Sequence, residues 1–199
     1  MEKLPNILSA FRMLMAPVFL FLFIQDDILL RFISLVVFAL AAVTDYLDGY
    51  YARIYKVESD FGIFLDPLAD KFLTFAGFIC LPLLDPTQFP WWAVIVIMIR
   101  DISITLFRIF ADRRGIVLQT RTMAKVKTAI QMIYLYIALL VGFLILIPGQ
   151  TSIIAQSIFN ADVFFWGMMG VVIITVYSGI EYFYVNSDLL SKKSEHGHT

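Results

Sequence analysis

Asp45-Tyr46-Leu47-Asp48-Gly49-Tyr50-Tyr51-Ala52-Arg53 closes one long apolar run, and eight residues later Gly62-Ile63-Phe64-Leu65-Asp66-Pro67-Leu68-Ala69-Asp70 opens the next. Residues three and four apart share a helix face. The spacing therefore predicts that Asp45 and Asp48 project from one side of the first helix, and Asp66 and Asp70 from one side of the second. Gly62 falls about one turn before Asp66, and Ala52 about one turn after Asp48. Together with Gly49, these small residues leave room for close approach of a backbone or a ligand. Pro67 is tolerable if the helix it belongs to is only just starting.

The surroundings of these acids are unusually apolar. Of 199 residues, 60% are hydrophobic, 19 are Phe and only 16% are charged, where a soluble domain averages about 25% charged. Mean hydropathy is +0.84. So little polar surface cannot cover a water-soluble body of this size, whereas a lipid solvent removes the need. The formal net charge of −1 gives no global field for nucleic acid. A single cysteine, Cys80, excludes an internal disulfide and a cysteine-built metal site, and its apolar setting reads as packing.

Apolar runs near 5–24, 29–47, 66–84, 91–110, 128–147 and 161–185 predict an all-α integral membrane protein of six transmembrane helices. The first run is read as a mature helix rather than a signal peptide. Arg12 interrupts it, and no small-residue cleavage site separates Ile24 from Gln25-Asp26-Asp27. Trp91 and Trp92, after Asp85-Pro86-Thr87-Gln88-Phe89-Pro90, mark a membrane surface, and Pro148-Gly149 a short turn. With both termini on one side, that side receives every basic residue except Arg31, which is 14 of the 15. The positive-inside rule makes it the cytoplasm. Residues 1–190 read as one six-helix catalytic domain, and 191–199 as a polar tail.

Each acid near a bilayer centre costs about 2.5–3.5 kcal/mol, so four deep and unpaired ones would cost on the order of 10 kcal/mol. A position near the cytoplasmic boundary lowers that figure, and divalent cations offset it further. Carboxylate-only ligands with open positions suit Mg²⁺ or Mn²⁺, while the absence of nearby His or Cys argues against zinc. Two such ions are a recurring device for phosphoryl transfer. Pairing of the acids with Arg53, Lys56 and Lys71 at a helix boundary is the competing reading at this level.

The whole spacing, D-x2-D-G-x2-A-R-x8-G-x3-D-x3-D, fixes eight positions over 26 residues and resembles the signature of the CDP-alcohol phosphotransferases without gap or substitution. The resemblance implies a six-helix membrane enzyme that moves a phosphoalcohol or phosphatidyl group from a CDP-linked donor to an acceptor hydroxyl and releases CMP. Nearly the whole chain is similar to the bacterial branch whose donor is CDP-diacylglycerol and whose acceptor is sn-glycerol 3-phosphate. The residues that carry this are Asn6-Ile7-Leu8-Ser9-Ala10-Phe11-Arg12, Leu65 to Lys71, Ile99-Arg100-Asp101-Ile102 with Arg108, Lys125-Val126-Lys127-Thr128 with Gln131-Met132, and Tyr177-Ser178-Gly179-Ile180-Glu181-Tyr182. One departure is Ala124, where the branch usually has Gly.

The resemblance further implies roles. Asp45, Asp48, Asp66 and Asp70 hold two divalent ions, Mg²⁺ or Mn²⁺. Asp48, Gly49, Ala52, Arg53 and Gly62 bind CDP-diacylglycerol, and Asp70 acts as the general base. It also implies a homodimer in the bacterial inner or plasma membrane, with its active site facing the cytoplasm. Glycerol 3-phosphate is a dianion and needs cations that do not neutralise the metal carboxylates. Arg100, Arg108, Lys125 and Lys127, at the cytoplasmic ends of the fourth and fifth helices, are the candidates.

The positive-inside rule asks for basic residues there whatever the function, and an inositol-phosphate acceptor would need the same ones. Phosphatidylinositol-phosphate synthase and cardiolipin synthase are accordingly the alternatives within the family. An ion-coupled transporter also buries acids in helices, but usually carries an internal repeat, and none is visible. Glu181 is a further intramembrane acid, either functional or paired. Ser178 and Gly179 read as helix-packing residues. His196 and His198 sit in the polar tail.

Overall fold

The computed structural model describes residues 4–55, 60–113 and 122–194, with side chains described for 10–44, 71–111 and 126–186. Lys56, Arg114, Arg121, His196 and His198 lie outside the described residues. Seven helices follow one another with no strand among the described residues: α1 Leu4–Phe23, α2 Ile28–Tyr55, α3 Asp60–Leu84, α4 Trp91–Arg113, α5 Thr122–Leu144, α6 Gln150–Asn160 and α7 Val163–Ser194.

Six of these coincide with the six expected apolar runs, and the seventh, α6, is additional to them. It forms because Gly149, at φ 108°, breaks the chain after α5 in a backbone region that glycine enters at little cost. The eleven residues that follow then contain no breaker. At 1.5 Å per residue α6 is about 17 Å long, too short for a hydrocarbon core of about 30 Å.

Two boundaries also differ from expectation. Pro67 lies inside α3 rather than in its first turn, where it withdraws one backbone donor. The expected tail begins within α7, because nothing between Asn186 and Ser194 stops a helix and Lys192 and Lys193 suit its C-terminal end.

The connections are closed by local polar groups. The Asp27 carboxylate accepts the Leu30 N–H at 2.8 Å, capping α2. Asp85 accepts both the amide and the hydroxyl of Thr87 in the turn before α4. Buried Gln88 staples that turn to the α6–α7 junction: its amide donates to Asp162 at 2.9 Å and its carbonyl accepts the Phe165 N–H.

α1 packs chiefly on α2 and α3, while α5 and α4 pack on α7 and α3 lies between the two groups. Phe19 of α1 and Phe38 of α2 stack with ring centroids 4.7 Å apart, in a core that also takes Phe78, Leu81, Ile97, Leu135, Leu139 and Met168. The outside is as apolar as the inside. Phe21, Leu40, Leu83, Phe110, Ile137, Ile153 and Trp166, one from each helix, all face outward, as a lipid solvent requires.

Among the described residues, Val126–Leu144 and Val163–Asn186 are long and apolar enough to cross a membrane. Ala10–Phe23, Ile28–Thr44 and Lys71–Leu84 are shorter apolar stretches. α4 is in neither group, since Arg100, Asp101 and Arg108 interrupt it. The apolar helices with apolar outer faces are those of a membrane protein.

Candidate active site

Both halves of the acidic motif lie on continuous helix. Asp45 to Arg53 falls within α2 and Gly62 to Asp70 within α3, and the two helices are neighbours. On helical backbone, positions three and four apart, as are Asp45 with Asp48 and Asp66 with Asp70, fall on one face. The side chains of these four acids, and of Arg53 and Lys125, are outside those described, as are the surroundings of Gly49, Ala52 and Gly62. Among the described residues no group of three or more His, Cys, Asp or Glu could hold a metal. The donor set of four carboxylates from two adjacent helices fits a hard divalent ion, which takes oxygen ligands and keeps open positions.

Two of the four candidate cations, Arg100 and Lys127, meet in a buried cluster. Asp101 and Lys127 are both almost fully buried, and the Lys127 ammonium donates to Asp101 Oδ1 in a short ion pair between α4 and α5. The Arg100 guanidinium donates to the same carboxylate at 3.0 Å through one terminal nitrogen, and to Ser178 Oγ on α7 at 3.0 Å through the other. The Gln131 amide makes a long contact, 3.5 Å, with Asp101 Oδ2.

Arg100 crosses α7 over Gly179, where an added Cβ would stand 3.2 Å from its Cγ. The small residue is what lets the arginine pass. Burying charge is costly unless it is paired and hydrogen-bonded. Here the two positive groups and the one negative group answer each other. Arg100 Nε and Gln131 Oε1 are buried without a hydrogen-bond partner among the described residues.

On α4 this cluster is not at a helix end, although Lys127 stands only five residues into α5. Asp101 stands ten residues after Trp91 and twelve before Arg113, about 15 Å and 18 Å along the helix. The short α3–α4 connection makes those helices antiparallel neighbours, which carries Lys71 of α3 to a similar depth. Lys71 lies within electrostatic reach of both Asp101 and Lys127, and it directly follows Asp70 in the chain. The structure thus brings Arg100 and Lys127 together, within electrostatic reach of the residue after the last acid.

Arg108 is exposed on α4 about two turns beyond Arg100 and is not part of the cluster. Glu181 is half-buried and engaged with a partner. Gly179 serves packing, as expected. Ser178 does more than pack, because it orients Arg100. Asp101 is the partner of two candidate cations and one that the sequence reading does not single out, although an acid inside an apolar run is the same signal that marks Glu181.

Arg31, the lone basic residue assigned to the other side, is also buried. It donates to the carbonyls of Phe23 at 3.0 Å, Gly142 at 3.0 Å and Gln25 at 3.1 Å, and pairs with Asp26 at 3.1 Å. Its guanidinium carbon lies 5.3 Å from the Phe23 ring centroid. Carbonyls left over at the ends of α1 and α5 are thereby satisfied. A cavity of about 280 Å³ opens beside it, bounded by Asp26, Cys80, Leu84 and Phe159 among others.

Among the described residues the protein is helical with apolar outer faces, the four acids of the motif fall on α2 and α3, and a buried cationic cluster joins α4, α5 and α7. The chain belongs to the CDP-alcohol phosphatidyltransferase family, whose model matches residues 2–178. It is 32% identical over 202 residues to the CDP-diacylglycerol–glycerol-3-phosphate 3-phosphatidyltransferase of Bacillus subtilis, covering 96% of this chain and 98% of that one. A Mycobacterium tuberculosis protein named "Probable phosphatidylglycerophosphate synthase" is 31% identical over 184 residues, 90% of this chain and 79% of the relative. The CDP-diacylglycerol–glycerol-3-phosphate 3-phosphatidyltransferase of Cereibacter sphaeroides is 36% identical over 142 residues, 69% and 63% of the two chains.

Proposed function

We propose that this protein transfers the phosphatidyl group of CDP-diacylglycerol to sn-glycerol 3-phosphate, yielding phosphatidylglycerophosphate and CMP. The observation that carries the reading is the eight-position acidic motif lying wholly on two adjacent helices. The acceptor is supported by relatives of that name over nearly the full chain, and by the buried cations Arg100 and Lys127.

Asp45, Asp48, Asp66 and Asp70 would hold two divalent ions, Mg²⁺ or Mn²⁺, whose chemistry when bound is to polarise the pyrophosphate and balance its charge. Gly49, Ala52 and Gly62 leave space for the cytidine nucleotide, and Arg53 grips the donor phosphates. Asp70 orients the glycerol 1-hydroxyl and accepts its proton. The hydroxyl oxygen then attacks the phosphorus that carries the diacylglycerol, a P–O bond forms, and the bond to CMP breaks. Arg100, Arg108, Lys125 and Lys127 form the cationic wall for the acceptor's own phosphate, so the dianion can be held beside the anionic donor.

The remaining features follow from the substrates. Acyl chains stay in lipid while the nucleotide and the glycerol phosphate come from water, which suits a cleft at the helix ends. Six spans, α6 lying at the surface, both termini and the active site in the cytoplasm, and a homodimer in the bacterial inner or plasma membrane make up the arrangement we infer. Residues 1–190 act as one catalytic unit.

The test is CMP release by purified protein from CDP-diacylglycerol, with glycerol 3-phosphate, inositol phosphate, phosphatidylglycerol and serine offered in parallel. Release with glycerol 3-phosphate alone is expected. Release only with inositol phosphate or phosphatidylglycerol would overturn the acceptor and keep the family chemistry.

A further inference from the structure

The cluster around Asp101 poses a physical question. Arg100 and Lys127 are like charges within a few ångströms of each other, buried among helices of low polarity, and Lys71 stands nearby. Nothing about helix packing asks for this. Replacing a buried ion pair by apolar residues of similar size is often neutral or stabilising, so burial of such groups is weak support for a purely structural role.

The geometry is more specific than charge balance alone. Asp101 receives Lys127 from α5 and one arm of Arg100 on one carboxylate oxygen. Ser178 takes the other arm of Arg100 from α7. The guanidinium is therefore held at both terminal nitrogens, while its Nε has no hydrogen-bond partner among the described residues. Its side chain keeps 15% of its surface exposed, against 2% for Lys127. A planar fork fixed at two corners is held in one orientation, which pre-organises its charge for a tetrahedral oxyanion.

We propose that Asp101 is a positioning residue for the acceptor: from inside the bundle its carboxylate fixes the Arg100 guanidinium and the Lys127 ammonium against each other, so that an incoming phosphate meets both cations already in place. The proposal rests on the acceptor reading above and extends it to a residue that touches neither substrate. Without Asp101 the two cations repel, Arg100 loses one of its two anchors, and the cost of ordering them falls on substrate binding. Asp101 thus acts on acceptor affinity and leaves the donor's site on α2 and α3 alone.

The experiment compares Asp101→Asn, Asp101→Glu and the double variant Asp101→Asn with Lys127→Met, in purified enzyme. KM for glycerol 3-phosphate, KM for CDP-diacylglycerol and the melting temperature are measured for each. Asp101→Asn is expected to raise the glycerol 3-phosphate KM about tenfold or more while the CDP-diacylglycerol KM stays within about twofold. Asp101→Glu should recover part of the loss.

The double variant separates positioning from charge balance, since removing both charges relieves the unpaired ammonium and restores melting. If Asp101 positions the cations, the acceptor KM of the double variant stays above that of Lys127→Met alone, measured alongside it, because Arg100 has lost its anchor. If the double variant regains the melting temperature and its acceptor KM equals that of Lys127→Met, the pair is structural and the proposal fails. Should Asp101→Asn alone not fold, the comparison of the double variant with Lys127→Met distinguishes these two outcomes. Wild-type turnover of glycerol 3-phosphate keeps the two readings apart: its absence counts against the acceptor, whereas an unchanged acceptor KM in an active Asp101→Asn enzyme counts against positioning alone.

Discussion

The Arg31 guanidinium donates to the backbone carbonyl of Gly142 at 3.0 Å, across 111 residues of chain. The same side chain closes the end of α1 through Phe23, so one residue at the start of α2 ties down the last turns of two other helices. Arg31→Met leaves those carbonyls buried and unsatisfied, and should destabilise the protein by about 3 kcal/mol. Asp45 stands fourteen residues further along α2, about 21 Å away, so turnover per folded molecule should hardly change. Arg31→Lys should not rescue melting, because an ammonium cannot reproduce the planar fork. Thermal unfolding in detergent, with kcat measured on the folded fraction, checks both statements.

Asp70→Asn removes the group assigned to the acceptor's proton. Turnover should fall by about 10²- to 10⁴-fold, with melting temperature close to wild type. Near wild-type kcat in folded protein would take Asp70 out of that role.

Chelation should abolish CMP release, and Mg²⁺ or Mn²⁺ should restore it. Asp45→Asn and Asp66→Asn should shift the metal titration to higher concentration by about tenfold or more, because each removes one charged ligand from an oxygen-only set. Activity against free metal concentration is the measurement. Turnover in chelator equal to that in metal would sink the two-metal reading.

Gly179→Ala places a methyl 3.2 Å from the Arg100 side chain. The arginine side chain must give by a few tenths of an ångström, at about 1 kcal/mol. The acceptor KM should rise while the CDP-diacylglycerol KM holds. Equal changes in both would show that the substitution disturbs the bundle rather than the arginine.

Six helices are legible because long apolar runs between polar turns leave little choice in lipid. α6 is hidden because Gln150–Asn160 carries no charge and follows Pro148-Gly149, which reads as a turn and nothing more. The pairing of the acids is legible because it depends only on helical spacing. The partnership of Arg100, Asp101, Lys127 and Ser178 is not, since it joins three helices and only tertiary packing brings them together. Arg31 shows the same limit: sequence places it on the side opposite the other basic residues, but not against the ends of α1 and α5.

The interruption of α4 also bears on how the chain enters the bilayer. Arg100 and Asp101 stand near its middle, and by hydropathy α4 alone is a poor candidate for partitioning into lipid. The groups that make its charges tolerable, Lys127 and Ser178, are on α5 and α7 and emerge later in synthesis. In the six-span arrangement inferred above, integration of α4 would be completed only when the C-terminal half arrives, with α5 and α7 as its partners.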